Sequence, residues 1–337
     1  MEMGFWKNLP RPFFVLAPMA DVTDAAFRRV ITEHGKPYVL WTEFVSADGL
    51  CSPGRKVLQR DLEYTEAERP IVAQLFSAHP DKMREASKLA AELGFDGIDI
   101  NMGCPDRSIE KQGAGAAMMK NPKLAREVIR AAKEGVALAA EEMGEKGRLI
   151  PVSVKTRIGY NRNEIATWIP EILSEGVAVL TLHCRTRKEM SLVPARWEHV
   201  REVVDIRNAM GVETLIIGNG DAKDLADARA KAAASGADGV MLGRAIFGNP
   251  WLFSELHTKD GKPVVPTLQE KLRVLVDHSK LYEKLLGDIK GFAIMKKHFK
   301  AYVNGFDHAK ELRVRLMEAE SAADLERTVG DFLTSLK

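Results

Sequence analysis

The segments Thr214-Leu215-Ile216-Ile217-Gly218-Asn219-Gly220-Asp221 and Gly239-Val240-Met241-Leu242-Gly243-Arg244 decide the fold. Each is a short apolar run, as in a buried strand, that ends in glycine and polar residues. In a (β/α)8 barrel the loops after the last two strands often bind phosphate through backbone N–H groups, and glycine permits the close approach. Taken alone, either motif is also explained by glycines that only form a tight turn between a strand and the next helix. Their occurrence on adjacent final strands favours a phosphate site.

Six similar apolar runs precede these two, and longer helical stretches separate them. This alternation is typical of repeated βα units and a parallel sheet. Eight strands favour an α/β fold of the closed TIM (β/α)8 barrel type over an open doubly wound sheet. The predicted strands are Phe13 to Ala17, Tyr38 to Phe44, Ile71 to Phe76, Gly97 to Asn101, Pro151 to Lys155, Val179 to His183, Thr214 to Gly218 and Gly239 to Gly243.

The alternation of strands and helices stops after Pro250. A stretch with glycine and proline, residues 260–266, leads into patterns that are purely helical. The sequence therefore predicts two domains, a barrel over residues 1–255 and a C-terminal all-helical domain over residues 256–337.

Chemistry in such a barrel belongs at the C-terminal ends of the strands, and seven of the eight predicted ends carry polar groups. At the fifth end, alternation turns Lys155 and Arg157 to the same side of the barrel mouth, where two cations suit an anionic or electron-rich ligand. Gln74, within an apolar run, needs hydrogen-bond partners from either a bound ring system or a neighbouring loop. A lone histidine such as His183 is more often a hydrogen-bonded core residue than a catalyst, and only the neighbouring polar groups make it a candidate.

Cys104 follows the fourth predicted strand directly, between Gly103 and Pro105. An unperturbed thiol is mostly protonated at neutral pH and can act as an acid. The alternative, a buried apolar cysteine, is our interpretation of Cys51 and Cys184. The loop position favours a functional role for Cys104.

Composition excludes several classes of protein. The 337 residues are 45% hydrophobic and 28% charged, with no run apolar enough to span a membrane. The three cysteines predict free thiols, with neither a disulfide framework nor a metal site. The first residues do not form a secretory signal. We expect a cytoplasmic protein, and a monomer without metal or membrane association.

Three nucleotide and metal motifs are also excluded. Gly113-Ala114-Gly115 fails as a dinucleotide fingerprint, because the third glycine position holds Met118 and the motif begins well past its strand. No Walker loop and no His-Glu-x-x-His motif occurs in the sequence.

The C-terminal region has a local excess of positive charge. Between Lys290 and Arg315, seven lysines and arginines face two acidic residues, although the whole chain carries only +2. His298, Phe299 and Tyr302 interleave with these cations, which fits an RNA-facing surface with phosphate contacts and base stacking. A solvated helix face is the alternative.

Together these residues resemble the dihydrouridine synthase family from about Phe13 to beyond Phe306. The strongest part is Asn101-Met102-Gly103-Cys104-Pro105, followed by the run 113–119. The opening 17–28, Lys155-Thr156-Arg157, Asn219-Gly220-Asp221 and Gly243-Arg244 match in order and spacing. One departure is Cys184, where many members have glycine, and this residue could alter packing beside the cofactor.

The resemblance implies an enzyme that reduces uridine in RNA, most often tRNA, to 5,6-dihydrouridine. FMN, reduced by NADPH, would give a hydride to C6, and Cys104 would protonate C5. It implies substrate contacts from Asn101, Arg157, Arg185, Lys296, Lys297 and Lys300. It implies FMN contacts from Pro18, Met19, Ala20, Gln74, Lys155, His183, Asn219, Gly220, Asp221, Gly243 and Arg244.

Three rival functions use the same residues. Another FMN barrel, such as a dihydroorotate dehydrogenase, would not need the basic helices. An inactive barrel that binds RNA would lack flavin absorbance, and a lyase would form a Schiff base on Lys155. Ribosomal RNA is the alternative to tRNA as the substrate, and NADH is the alternative to NADPH as the reductant.

Overall fold

The computed structural model describes residues 2–336 and contains eight strands, one for each predicted run. The observed ends differ from the predicted ones by a few residues at most. The strands are β1 Phe13–Leu16, β2 Leu40–Ser46, β3 Ile71–Phe76, β4 Gly97–Met102, β5 Val152–Arg157, β6 Val179–His183, β7 Leu215–Asn219 and β8 Gly239–Leu242.

The strands form one parallel sheet in the order β1-β8-β7-β6-β5-β4-β3-β2. The two outer strands of this order meet, because Tyr38 N donates to Phe14 O over 3.1 Å and Leu16 N to Val39 O over 3.5 Å. The sheet therefore curls back on itself, and the predicted TIM-barrel class is confirmed.

Successive side chains of a strand lie in two separate apolar layers, one on each face of the sheet. Phe13 and Val15 belong to the apolar cluster that contains Trp6, whereas Phe14 and Leu16 belong to the larger cluster shared with the helices. Since successive side chains of a strand point to opposite faces, Phe13 and Val15 face the interior. Trp6, which is 1% exposed, packs there from the N-terminal segment, so the interior is apolar near the start of β1.

Thirteen α-helices occur in the described residues, and side chains cap several of their first turns. Asp24 Oδ1 accepts from Phe27 N over 2.9 Å at the start of one helix, and Pro80 is the first residue of another. The helices are α1 Ala25–Gly35, α2 Ala47–Leu50, α3 Arg55–Leu58, α4 Pro80–Glu92, α5 Arg107–Lys111, α6 Pro122–Glu142, α7 Ile165–Leu173, α8 Glu198–Ala209, α9 Leu225–Ser235, α10 Leu268–Leu286, α11 Lys296–Tyr302, α12 Ala309–Leu316 and α13 Ala322–Ser335.

The last four helices pack against the barrel through α1. The ring of His278 in α10 stacks on Phe27 of α1 with centroids 4.8 Å apart, and His298 of α11 meets the same phenylalanine at 4.9 Å. The C-terminal helical region is confirmed. Its division from the barrel after residue 255 stays a prediction, since one buried cluster runs through both parts.

Candidate active site

A single pocket at the C-terminal ends of the strands collects most of the predicted site residues. Every predicted FMN residue except Ala20 lines it, together with Asn101, Cys104, Arg157 and Arg185. Sequence reasoning assigned no ligand contact to several other lining residues. These are Ala17, Phe44, Gly103, Pro105, Ser191 and Ala222.

Hydrogen bonds to Asn101 hold the loop that carries Cys104. Asn101 Oδ1 accepts from Gly103 N over 3.1 Å and from Cys104 N over 2.9 Å, and Cys104 O accepts from Ala116 N over 2.9 Å. A Cβ on Gly115 would lie 2.8 Å from Cys104 O, so only glycine allows this approach. Residues 113–119 therefore pack against the loop that carries Cys104 and bind its backbone.

The Cys104 thiol stays protonated over a wide pH range. Burial raises its pKa above the ordinary value, and the nearby Arg157 and Lys155 oppose this only in part. A half-buried thiol that retains its proton is suited to act as an acid. Cys184, in contrast, is fully buried in the main hydrophobic cluster, where burial raises its pKa to about 12.

A buried polar chain runs beneath the pocket and includes a residue that sequence reasoning missed. Gln74 Nε2 donates to Asp99 Oδ2 over 2.6 Å, and Asn101 Nδ2 donates to Gln74 Oε1 over 3.1 Å. Ser153 Oγ donates to the other Asp99 oxygen over 2.6 Å, and burial raises the pKa of Asp99 to about 6. An aspartate between two isoleucines of a predicted strand was the available signal.

Gln74 thus finds its partners in side chains rather than in a neighbouring loop. The chain ties β3 to β4 and fixes the amide of Asn101, which in turn holds the cysteine loop. Buried networks of this kind orient their members because each lost bond leaves an unsatisfied polar group.

Two cations from β5 face the pocket, as the alternation predicts. Burial, together with repulsion from Arg157, lowers the pKa of Lys155 to about 8. Lys155 forms no ion pair with residues of the described range. Arg157 instead donates to Gly103 O over 2.7 Å and to Met190 O over 3.0 Å, and burial lowers its pKa to about 10. Of these two cations, Lys155 therefore has the head group that is freer to bind a ligand.

His183 is neutral in this surrounding. Burial lowers its pKa well below the ordinary value, and the charges of Arg157 and Lys155 lower it further. Arg185 Nη1 lies 3.2 Å from His183 Nε2, and because a guanidinium only donates, Nε2 accepts. The ring proton then resides on Nδ1.

The ends of β7 and β8 lie at one corner of the pocket, where the sequence predicts phosphate binding. Gly220 has φ +133°, and a Cβ there would lie 2.7 Å from Ala195 Cβ. Asp221 binds two arginines, Arg185 and Arg244, each over 2.5 Å. The Arg244 side chain is 64% exposed, so it can also reach an anion. Glycine backbone and guanidinium groups at one corner suit phosphate.

The basic C-terminal residues lie outside this pocket. Lys297 Nζ contacts Asp21 Oδ2 over 2.9 Å, Lys296 Nζ donates to Met317 O over 2.7 Å, and Lys300 is exposed. The expectation of base stacking by the interleaved aromatic residues is wrong, because His298, Phe299 and Tyr302 are at most 1% exposed. His298 contacts Phe27 of α1, whereas Phe299 lies against Phe292 and Tyr302 lies against His278 of α10.

Among residues 2–336, no three histidine, cysteine or acidic side chains converge in a way that could hold a metal ion. No helix in the same part of the chain has the length and apolar character needed to cross a membrane.

Sequence comparison identifies the family to which this barrel belongs. The family model described as dihydrouridine synthase matches residues 15–337. The chain belongs to the dihydrouridine synthase family. A probable tRNA-dihydrouridine synthase of Staphylococcus aureus (strain MRSA252) is 39% identical over 335 residues, 98% of this chain and 96% of the relative. The probable tRNA-dihydrouridine synthase 2 of Bacillus subtilis (strain 168) is also 39% identical, over 98% of this chain and 97% of its own.

Two solved structures share the fold of this family member at low identity. A 2-naphthoyl-CoA reductase complex matches with TM-score 0.52 and 10% identity over 76% of this chain and 51% of its own. Histamine dehydrogenase from Rhizobium sp. 4-9 matches with TM-score 0.51 and 13% identity over 80% of this chain and 48% of its own. At this identity the likeness concerns the barrel alone.

Proposed function

We propose that the chain reduces uridine in tRNA to 5,6-dihydrouridine, with FMN as cofactor and NADPH as the reductant. One observation carries the proposal. A protonated thiol on a supported loop, a lysine that forms no ion pair within residues 2–336 and a glycine–arginine corner line one pocket at the barrel mouth. The family and the names of its relatives in S. aureus and B. subtilis supply the substrate class.

The donors of the pocket fit FMN. The corner of Gly220, Gly243 and Arg244 offers backbone and guanidinium groups to a phosphate, and Lys155 offers a positive charge to an electron-rich ring. When bound and reduced, FMN supplies the hydride that adds to C6 of uracil. The other residues proposed to hold it are Pro18, Met19, Ala20, Gln74, His183, Asn219 and Asp221.

Cys104 is the proposed general acid. Addition of a hydride at C6 leaves negative charge on the uracil, and a proton delivered from Cys104 Sγ to C5 completes the reduction. Burial keeps the thiol protonated, and the amide of Asn101 fixes the backbone that carries it. The nearby Lys155 and Arg157 stabilise the thiolate that remains.

Recognition of the substrate is proposed to use two sets of residues. Asn101, Arg157 and Arg185 lie in the pocket, where an extruded base can reach them. Lys296, Lys297 and Lys300 lie outside the pocket and would contact RNA phosphates, with Lys297 exchanging Asp21 for phosphate. An extruded uridine needs such phosphate contacts to offset the loss of base stacking.

The test compares two cysteine variants. Protein loaded with FMN and reduced by NADPH is mixed with an unmodified tRNA transcript, and dihydrouridine is quantified by mass spectrometry over a single turnover. We expect Cys104→Ala to bind FMN normally and to lose at least 100-fold in rate, in the range for a general acid. Cys51→Ala, which removes a thiol outside the pocket, should react as wild type does. Equal rates of dihydrouridine formation in the two variants would show that Cys104 is not the general acid.

A further inference from the structure

The loop between β1 and α1, residues 17–24, is a closed turn with one edge in the active-site pocket. Met19 lines the pocket, and Met19 O accepts from Val22 N over 3.1 Å and from Thr23 N over 3.0 Å. Thr23 Oγ1 accepts from Met19 N over 2.9 Å. Because these bonds make the turn rigid, the far edge of the turn controls where Met19 and Pro18 lie.

Asp21 forms that far edge and adopts a backbone conformation that needs support. Its φ is +52°, in the left-handed region that residues with a side chain seldom occupy. The N–H of Asp21 donates to Glu43 Oε1, and its carboxylate contacts Lys297. Glu43 therefore holds the backbone of Asp21 in place.

Glu43 depends in turn on a residue of the C-terminal region. It lies on β2 with 5% of its surface exposed, and its second oxygen lies 3.0 Å from Lys290 Nζ. Lys290 follows α10 and also lies 2.8 Å from Asp61 Oδ1. One ammonium group thus pairs with two carboxylates, and it is too enclosed to act in the RNA-facing basic set that the sequence suggested.

We propose that Lys290 and Glu43 are positioning residues for the cofactor, acting through Asp21 to hold Pro18 and Met19 against FMN. The proposal rests on the proposed function, since it takes FMN as the ligand of the pocket. Neither charged group lines the pocket. The C-terminal region consequently contributes to cofactor binding as well as to RNA contact, through an ion pair 3.0 Å long.

The experiment measures FMN affinity directly, so that catalysis is not needed. Apo-protein is titrated into FMN while the loss of FMN fluorescence is followed, and thermal unfolding of each variant is recorded. Lys290→Met should weaken FMN binding at least fivefold, whereas Lys290→Arg, which keeps the charge, should restore it to within twofold of wild type. Lys280→Met is the matched control, because Lys280 pairs with Glu326 over 2.6 Å on the exposed side of the same region.

A second variant separates positioning from stability. Glu43→Met removes the acceptor of Asp21 N–H but leaves Lys290 paired with Asp61, so no enclosed charge is left alone. It should weaken FMN binding to the same extent, and it decides the matter if Lys290→Met does not fold. FMN affinity within twofold of wild type in the folded variant would overturn the proposal. Failure of the wild type to bind FMN would instead overturn the proposed cofactor.

Discussion

Replacement of Asn101 by alanine should separate the placement of Cys104 from its chemistry. The change removes the acceptor of Gly103 N and Cys104 N, at 3.1 and 2.9 Å, and the donor to Gln74 Oε1 at 3.1 Å. At roughly 1 kcal/mol for each bond, the free energy of unfolding should fall by about 3 kcal/mol. A shift of the thiol by about 1 Å costs on the order of 100-fold in rate.

The assay is the single-turnover formation of dihydrouridine at saturating tRNA, with protein that carries reduced FMN. Saturation removes the effect of any lost contact between Asn101 and the base on affinity, so that the rate reports the position of the thiol. Asn121→Ala is the matched control, since Asn121 Oδ1 accepts from Leu124 N over 3.2 Å at the start of α6, away from the pocket. Its loss should cost about 1 kcal/mol in stability and leave the rate unchanged. An Asn101→Ala rate within threefold of the control would refute the positioning argument.

Three further predictions follow from Lys155, Gly220 and His298. The pKa of Lys155 is lowered to about 8, so the affinity of the apo-protein for anionic FMN should fall as pH rises through 8, by up to about tenfold per pH unit. Lys155→Gln should abolish this dependence in fluorescence titrations from pH 7 to about 9.5, and a dependence that persists would refute the role. Gly220→Ala should weaken FMN binding and lower stability by roughly 1–3 kcal/mol in urea unfolding, because φ is +133° and a Cβ would lie 2.7 Å from a neighbouring methyl group, whereas Gly330→Ala, which meets nothing within 4 Å, should not. Burial lowers the pKa of His298 to about 4, below its unfolded value of about 6.5. Its neutral form therefore contributes stability that is complete above about pH 6.5 and is lost as pH falls toward 4, by on the order of 3 kcal/mol in total. Urea unfolding at about pH 7.5 and pH 5 should show a smaller loss for His298→Phe than for wild type, and an equal loss would contradict this.

The fold and the pocket were predictable because both follow from periodic local patterns. Apolar runs that alternate with helices specify a parallel barrel, and a barrel places its strand ends at one mouth. Residues such as Gln74, Cys104 and Lys155 could therefore be assigned to one site from their positions after strands. The structure confirms that they line one pocket.

Contacts between distant elements were not predictable in this way. In the sequence, Asp99 is a lone acidic residue within an apolar strand, and nothing nearby explains it. In the structure, Gln74 donates to one of its oxygens and Ser153 donates to the other. Lys290 looked like one cation of a basic surface, but it lies between Glu43 and Asp61. Charge counted along the sequence does not reveal which side chains are enclosed, because this depends on packing between distant elements.

The most direct test of the central claim is to map dihydrouridine by mass spectrometry in tRNA from cells with and without the gene for this chain. The account predicts that at least one uridine gains two hydrogens only when the gene is present. It also predicts that Cys51→Ala restores the modification to cells lacking the gene whereas Cys104→Ala does not. Identical maps in the two strains would contradict the proposed function, and restoration by Cys104→Ala would contradict the proposed acid.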